Sequence, residues 1–244
     1  MYSFSDKVVI ITGASRGIGA ALAKAIAAEG ANLCLVARDA EALRNIGLEL
    51  RRHYATDVMP RACDVRDARR VEQLVADCVQ RFGRLDMVIN NAAVLGLMAP
   101  IHEYLPEPWN STIATNLHGA FYVSHYALCQ MKRQQPGGRI VFVSSSVGRT
   151  IRAGWGAYAV SKYAAEALMQ LIALESEQTG VVACSINPGG ASTAMRRLAY
   201  PQEDPTTLPT PEQVAQAFLN ILRLPDKALN GRSFNAREHL GGSP

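Results

Sequence analysis

Val8-Val-Ile-Ile11 is a short apolar run that leads straight into Thr12-Gly-Ala-Ser-Arg-Gly-Ile-Gly19. Beyond it Ile18, Ala21, Leu22, Ala25 and Ile26 keep the i, i+3, i+4, i+7 spacing of one apolar helix face, and Gly30 closes the stretch. The order is therefore buried strand, glycine turn, helix. Such a unit makes a phosphate cradle. Glycines let the backbone approach a pyrophosphate closely, and free N–H groups at the helix start, aligned with the positive end of its dipole, bind the anion. The spacing, G-x-x-x-G-x-G through Gly13, Gly17 and Gly19, is not the G-x-G-x-x-G of many dinucleotide folds, and no Gly-Lys-Ser/Thr follows as a P-loop requires. A merely tight turn is the plainer alternative, and the strand before it and the helix after it argue against that.

The rest of the chain repeats the alternation of strand and helix. Asn32 to Ala37 reads as the second strand. Asp39 caps a helix carrying Leu43, Ile46 and Leu50, and Asp57 to Cys63 is a weaker strand containing Pro60. Asp67 opens a helix with the apolar stripe Val71, Leu74, Val75, Cys78, Val79 and Phe82, which Gly83 ends. Leu85 to Asn90 is a fourth strand, followed by a long helical region from about Glu107 to Gln134. Then come the strand Arg139 to Ser144, a helix through Tyr158 and Lys162, and the strand Val181 to Asn187. Thr210-Pro-Glu-Gln213 starts a further helix, and Arg232 to Ala236 makes a short last strand. The pattern predicts an α/β fold: a single-domain Rossmann-type doubly wound parallel sheet flanked by helices on both faces. In the strand order 3-2-1-4-5-6 the third strand lies at the edge, where a proline breaks no central ladder.

Composition bounds the function. With 244 residues, 48% hydrophobic and 19% charged, the chain suits one domain over 1–244, and it shows no repeat or low-complexity linker. Met1 to Asp6 is too short and polar for a signal peptide, and no stretch approaches the ~18 apolar residues of a membrane span, so a cytoplasmic protein without a membrane partner is expected. Cysteines 34, 63, 78, 129 and 184 are odd in number and widely spaced, which fits reduced core residues. The five histidines show no H-E-x-x-H arrangement, so no protein metal site is expected. A net charge of +4, with both signs interspersed, points to no nucleic-acid groove.

Tyr158 and Lys162, in Gly156-Ala-Tyr-Ala-Val-Ser-Lys162, stand one helical turn apart. A free tyrosine titrates near ~10, so a phenol that exchanges protons near neutrality needs a cation to stabilise its phenolate. Lys162 supplies one through space. A packing tyrosine beside a solvated lysine is the bland alternative for the pair taken alone.

Taken together, these motifs resemble those of the short-chain dehydrogenase/reductase family, from about Lys7 to the last strand. Thr12 to Gly19 is similar to the family's T-G-x-x-x-G-x-G cofactor turn, Asn90-Asn-Ala92 to its N-N-A motif and Tyr158 to Lys162 to its Y-x-x-x-K pair. Ser144-Ser-Ser-Val-Gly-Arg149, Trp155-Gly-Ala-Tyr158 and Asn187-Pro-Gly-Gly190 with Thr193-Ala-Met-Arg196 are similar to a subgroup of bacterial oxidoreductases with largely unassigned substrates. The resemblance implies a catalytic set of Asn116, Ser145, Tyr158 and Lys162. Tyr158 would protonate a carbonyl oxygen as hydride arrives, Lys162 would lower the phenol's pKa and hold the nicotinamide ribose, and Ser145 would stabilise the oxyanion. Asn116 would anchor a water linking Lys162 to solvent, or merely bridge backbone groups. Ser144 and Ser146 compete with Ser145, which is chosen for its thirteen-residue separation from the tyrosine. The implied cofactor contacts are Gly13, Ser15, Arg16, Gly17, Ile18, Gly19, Arg38, Asp64, Val65, Asn91, Ala92, Tyr158, Lys162, Pro188, Gly189 and Thr193. Ala93 departs from the glycine that commonly ends N-N-A-G.

At the end of the second strand an acidic residue would hold the ribose hydroxyls of NAD, but Ala37 stands there and Arg38 follows. Arg38, with Arg16, suits a 2'-phosphate, so NADP(H) is expected over NAD(H). The substrate pocket falls to Leu95, Met98 and Trp155 in apolar loops, and residues 191–210 read as a lid. Arg196 and Arg197 in that lid are either anion-binding or solvated. The expected function is interconversion of a moderately apolar carbonyl and a secondary alcohol by a homodimer or homotetramer. The alternative is a non-catalytic NADP-binding sensor or partner-binding protein on the same fold. The tail Ala236 to Pro244 lacks the apolar, glycine-closed ending of many relatives, which weakens the second dimer contact usual in the family.

Overall fold

The computed structural model describes residues 1–241. Seven strands form one sheet in the order β3-β2-β1-β4-β5-β6-β7, and every neighbouring pair is parallel. They are β1 (Val8–Thr12), β2 (Asn32–Ala37), β3 (Val58–Ala62), β4 (Met87–Asn90), β5 (Gly138–Val143), β6 (Val181–Asn187) and β7 (Arg232–Asn235). The expected order is found, extended by β7 beside β6. Pro60 does lie in the edge strand β3, opposite Leu35. Helices cover both faces. Val9 and Ile11 of β1 pack with α1 (Gly17–Ala28), α2 (Ala40–His53) and α8 (Pro211–Leu222) through Leu22, Leu43 and Phe218. Val8 and Ile10 face the other way, toward Leu74 of α3 (Ala68–Phe82), Val123 of α5 (Gly119–Met131) and Met169 of α6 (Gly156–Glu175). Successive strand residues enter opposite cores, which is why the run is apolar without alternation.

Local signals set most element ends. Asp39 accepts from the N–H groups of Glu41 and Ala42 at 3.1 and 3.0 Å, Asp67 caps α3 in the same way, and Thr210 and Gln213 close a capping box on α8. The long helix expected from 107 to 134 is not uniform. It begins as α4 (Pro106–Ile113), widens into a π-helical turn over Ala114–His118 where the Gly119 N–H reaches back to the Ala114 carbonyl, and resumes as α5. That turn carries Asn116. The 191–210 segment contains α7 (Ala194–Ala199) and a 3-10 turn at Pro205–Thr207, and α9 (Asp226–Leu229) precedes β7. All five cysteines are free, and Cys129 is exposed. Among the described residues no helix is long and apolar enough to cross a membrane. Of the tail, residues 242–244 lie outside the described part.

Candidate active site

The ends of β1 and β4 build the glycine turn together. Thr12 Oγ1 accepts from the N–H groups of Asn91 and Ala92, both at 3.0 Å, and Asn91 Nδ2 donates to the carbonyls of Thr12 (2.8 Å) and Gly13 (3.2 Å). A Cβ on Gly19 would collide with the Gly13 carbonyl oxygen and with Asn91 Nδ2, so the helix can start this close only with glycine. No side chain caps α1, and its first turn holds no acidic residue. A Cβ on Gly17 would meet only the Thr193 methyl, at 3.6 Å, which marks a gap between the turn and the start of α7. Around this gap Ser15 is half-buried, Ile18 packs on the core, and Arg16 and Arg38 are exposed. Arg66 holds the Asp64 carboxyl below its ordinary range through a bidentate pair, with a further contribution from Arg38. Val65 is buried against Gly119.

Tyr158 and Lys162 lie near the start of α6, 7% and 5% exposed, beside the C-terminal end of β5. Lys162 Nζ donates to the Val143 carbonyl at 2.7 Å and stands 5.7 Å from the Tyr158 ring centroid. Burial pushes the Tyr158 phenol above its ordinary pKa, and a hydrogen bond with Ser145 works against that. Burial likewise pushes Lys162 down, to about 8, opposed by the charge of Glu166. The group that counters burial at the phenol is therefore Ser145 rather than Lys162, whose ammonium is turned to a carbonyl. Of the three serines, Ser144 donates to Glu166 Oε1 at 2.5 Å and Ser146 begins a 3-10 turn, which leaves Ser145 on the phenol.

Asn116 is fully engaged as a donor. Its Oδ1 accepts from Val94 N–H at 2.8 Å, and its Nδ2 donates to the Val94 carbonyl (2.9 Å) and to Ser161 Oγ (3.0 Å). Both side-chain donors are thus spent on stapling the loop after β4 to α6.

Leu95, Trp155 and Met195 pack on the small cluster of Val147, Tyr158 and Ala159, and the Trp155 ring lies 5.7 Å from Tyr158 and 5.9 Å from Tyr200. Met98 lies outside this cluster and is 38% exposed, on the loop where the Leu97 N–H donates to Tyr104 Oη at 3.1 Å. The Tyr104 ring in turn lies against Gly156, where any larger residue would strike it. In the 191–210 segment Arg196 is half-buried and paired. It forms two 2.6 Å bonds to Glu203 and stacks 3.8 Å from Tyr200. Thr193 caps α7 through Arg196 N–H. Next to Pro188, Gly189 N–H donates to Asn187 Oδ1 and Arg237 packs over the glycine. Sequence reasoning missed Glu166, Tyr104, Met195 and Tyr200. Glu166 had a signal, the same four-residue step from Lys162; the loop residues had none.

Residues 7–204 match the family model for short chain dehydrogenase. The chain is 35% identical to the uncharacterized oxidoreductase YciK of Escherichia coli K12 over 240 residues, 96% of this chain and 92% of that protein. Its structure is similar to that of a short chain dehydrogenase from Shigella flexneri complexed with NADP (TM-score 0.90, 35% identity, 96% and 98% of the two chains). A similar enzyme from Escherichia coli CFT073 complexed with NADPH matches with TM-score 0.90, 34% identity and 96% and 97% coverage. The chain belongs to the short-chain dehydrogenase/reductase family of oxidoreductases.

Proposed function

We propose that the chain is an NADP(H)-dependent oxidoreductase that interconverts a carbonyl and a secondary alcohol, with Tyr158 as the acid/base. The observation that carries this reading is the burial of the Tyr158 phenol against Val147, Leu95, Trp155 and Met195, with Lys162 one turn away and 5.7 Å from its ring centroid. The residues fit the cofactor: an uncapped helix start at Gly17, a glycine turn facing a gap under Thr193, and two exposed arginines, 16 and 38, suited to a 2'-phosphate. Gly13, Ser15, Ile18, Gly19, Asn91, Ala92, Pro188 and Gly189 complete the cradle, with Asp64 and Val65 toward the adenine. The two relatives solved with NADP and NADPH support the choice. When bound, the nicotinamide supplies or accepts the hydride. In reduction Tyr158 gives its proton to the carbonyl oxygen, and the Ser145 hydroxyl stabilises the charge gathering there. Lys162 stabilises the phenolate left behind, and Asn116 holds the Val94 loop against α6.

The substrate is a moderately apolar carbonyl or alcohol, since Leu95, Trp155 and Met195 surround the phenol and the Arg196 charge is spent on Glu203. Residues 191–210 act as its lid. Phe121, Val160, Tyr163, Leu171 and Leu174 are exposed apolar residues on α5 and α6, which supports a homo-oligomer through that face. Five free cysteines accord with a cytoplasmic setting. The test is NADPH absorbance over a panel of apolar ketones and aldehydes, with NADH in parallel and light scattering on the same sample. Turnover with NADPH preferred and a particle larger than one chain is expected; preference for NADH would overturn the reading of Arg38, and a stable monomer that of the α5 and α6 face.

A further inference from the structure

Glu166 belongs to α6 but has no part in the mechanism above. It is 7% exposed, yet its carboxylate is surrounded by donors: Ser144 Oγ (2.5 Å) and Arg149 Nε (2.9 Å) on Oε1, Ser185 Oγ (2.6 Å) and Ser233 Oγ (2.8 Å) on Oε2. These donors come from the end of β5, the turn after it, β6 and β7. Arg149 is fixed in turn by Asn235 Oδ1 at 2.9 Å and the Phe234 carbonyl at 3.0 Å. Burial opposes ionisation of Glu166, but the three serines and Arg149 outweigh it and hold the carboxyl below its ordinary range. Joining strands to a helix does not require a charge here, because apolar side chains of similar volume commonly replace a buried ion pair without loss. The charge has another neighbour, Lys162, one turn back on the same helix.

We propose that Glu166 is a positioning residue for the reaction: it sustains the ammonium of Lys162 inside a dry site and, through Ser144, holds the end of β5 so that Ser145 reaches Tyr158. This rests on the acid–base reading of Tyr158 and Lys162. The charged and titratable groups facing the pair are Tyr158 on α6, Arg149 from the turn after β5, and from β6 the Cys184 thiol, which burial and Glu166 push up to about 12. Of these, Glu166 is the one that counters the effect of burial on Lys162.

The chain has five lysines, at 7, 24, 132, 162 and 227, so carbon-13 labelled lysine gives a simple NMR titration in which the Lys162 signal is assigned by its loss in Lys162→Ala. In Glu166→Gln the pKa of Lys162 falls by about one unit or more, as expected for a lost charge in a partly dry site. The double variant Glu166→Gln with Arg149→Met, which removes a charge pair instead of orphaning one member, gives a fall of the same sign and guards against misfolding of the single variant. The alkaline limb of kcat/KM for reduction moves down with it, whereas Ser233→Ala, which removes one bond and leaves the charge, does not move the limb. An unchanged Lys162 titration in these variants, or a uniform loss of rate with the limb in place, overturns the proposal. The titration needs neither substrate nor cofactor, so a failed carbonyl panel, which would strike the reading of the function, is distinguishable from a failed coupling.

Discussion

Strands β1 to β4 and strands β5 to β7 lie in one parallel sheet, but they and their connections bury different things. Among the described residues up to Asn90, the buried polar side chains are Thr12, Asp86 and Asn90; from α4 to β6 they include Asn116, Ser144, Ser161, Lys162, Glu166 and Ser185. The first part shapes its site with backbone, as the glycine turn propped by Thr12 and Asn91 shows. The second shapes its site with polar and ionisable side chains, each of which must be hydrogen-bonded to stay in a dry interior. A backbone site is broken by volume, and a side-chain site by proton or charge.

The largest expected effect separates the two regions. Tyr158→Phe lowers carbonyl reduction by about 10²–10⁴-fold, while the variant still binds NADPH, as read by fluorescence titration, because the glycine cradle is untouched. Loss of cofactor binding in that variant would erase the distinction. Gly19→Ala is the counterpart, because its methyl strikes Gly13 and Asn91. It weakens NADPH binding by roughly tenfold to a hundredfold, in keeping with an overpacking cost of about 1–3 kcal/mol, and an unaltered affinity would show that the turn is not the cradle. Arg38→Leu reduces the preference for NADPH over NADH by about tenfold, the scale of one charge-assisted hydrogen bond, as measured by the ratio of kcat/KM values.

The smallest effect is a pH limb. Lys162 carries its charge below about 8 and loses it above, while burial holds the Tyr158 phenol protonated across the same range. The kcat/KM for reduction is therefore level through neutrality and falls as pH rises through about 8; a limb at the ~10.4 of an ordinary lysine would contradict the buried site.

Much of the scaffold was legible because its signals are local. Asp39, Asp67 and the Thr210–Gln213 box mark helix starts by hydrogen bonds within three residues, and Pro60 marks an edge by a missing donor. Tyr158 and Lys162 were legible for the same reason, being one turn apart. The π-helical turn at Asn116 was not, since one extra residue in a turn leaves the apolar periodicity nearly intact. Nor was the fate of three consecutive serines: adjacent strand-end residues point in different directions, and what each meets depends on α6. That Met195 packs beside Tyr158 while Met98 stands outside the same cluster was not legible either, because loop direction leaves no trace in composition.

The chain by itself determined the alternation of strands and helices, the glycine turn and the phenol beside an ammonium, since each is written in residues within a few positions of one another. Only the tertiary structure decided the environment of that ammonium. Ser185 and Ser233 are paired across β6 and β7 by sheet register, Ser144 directly follows β5, and Glu166 comes from α6 to meet all three. Their distance along the chain hides that meeting, and the low dielectric in which they meet gives it its effect on charge.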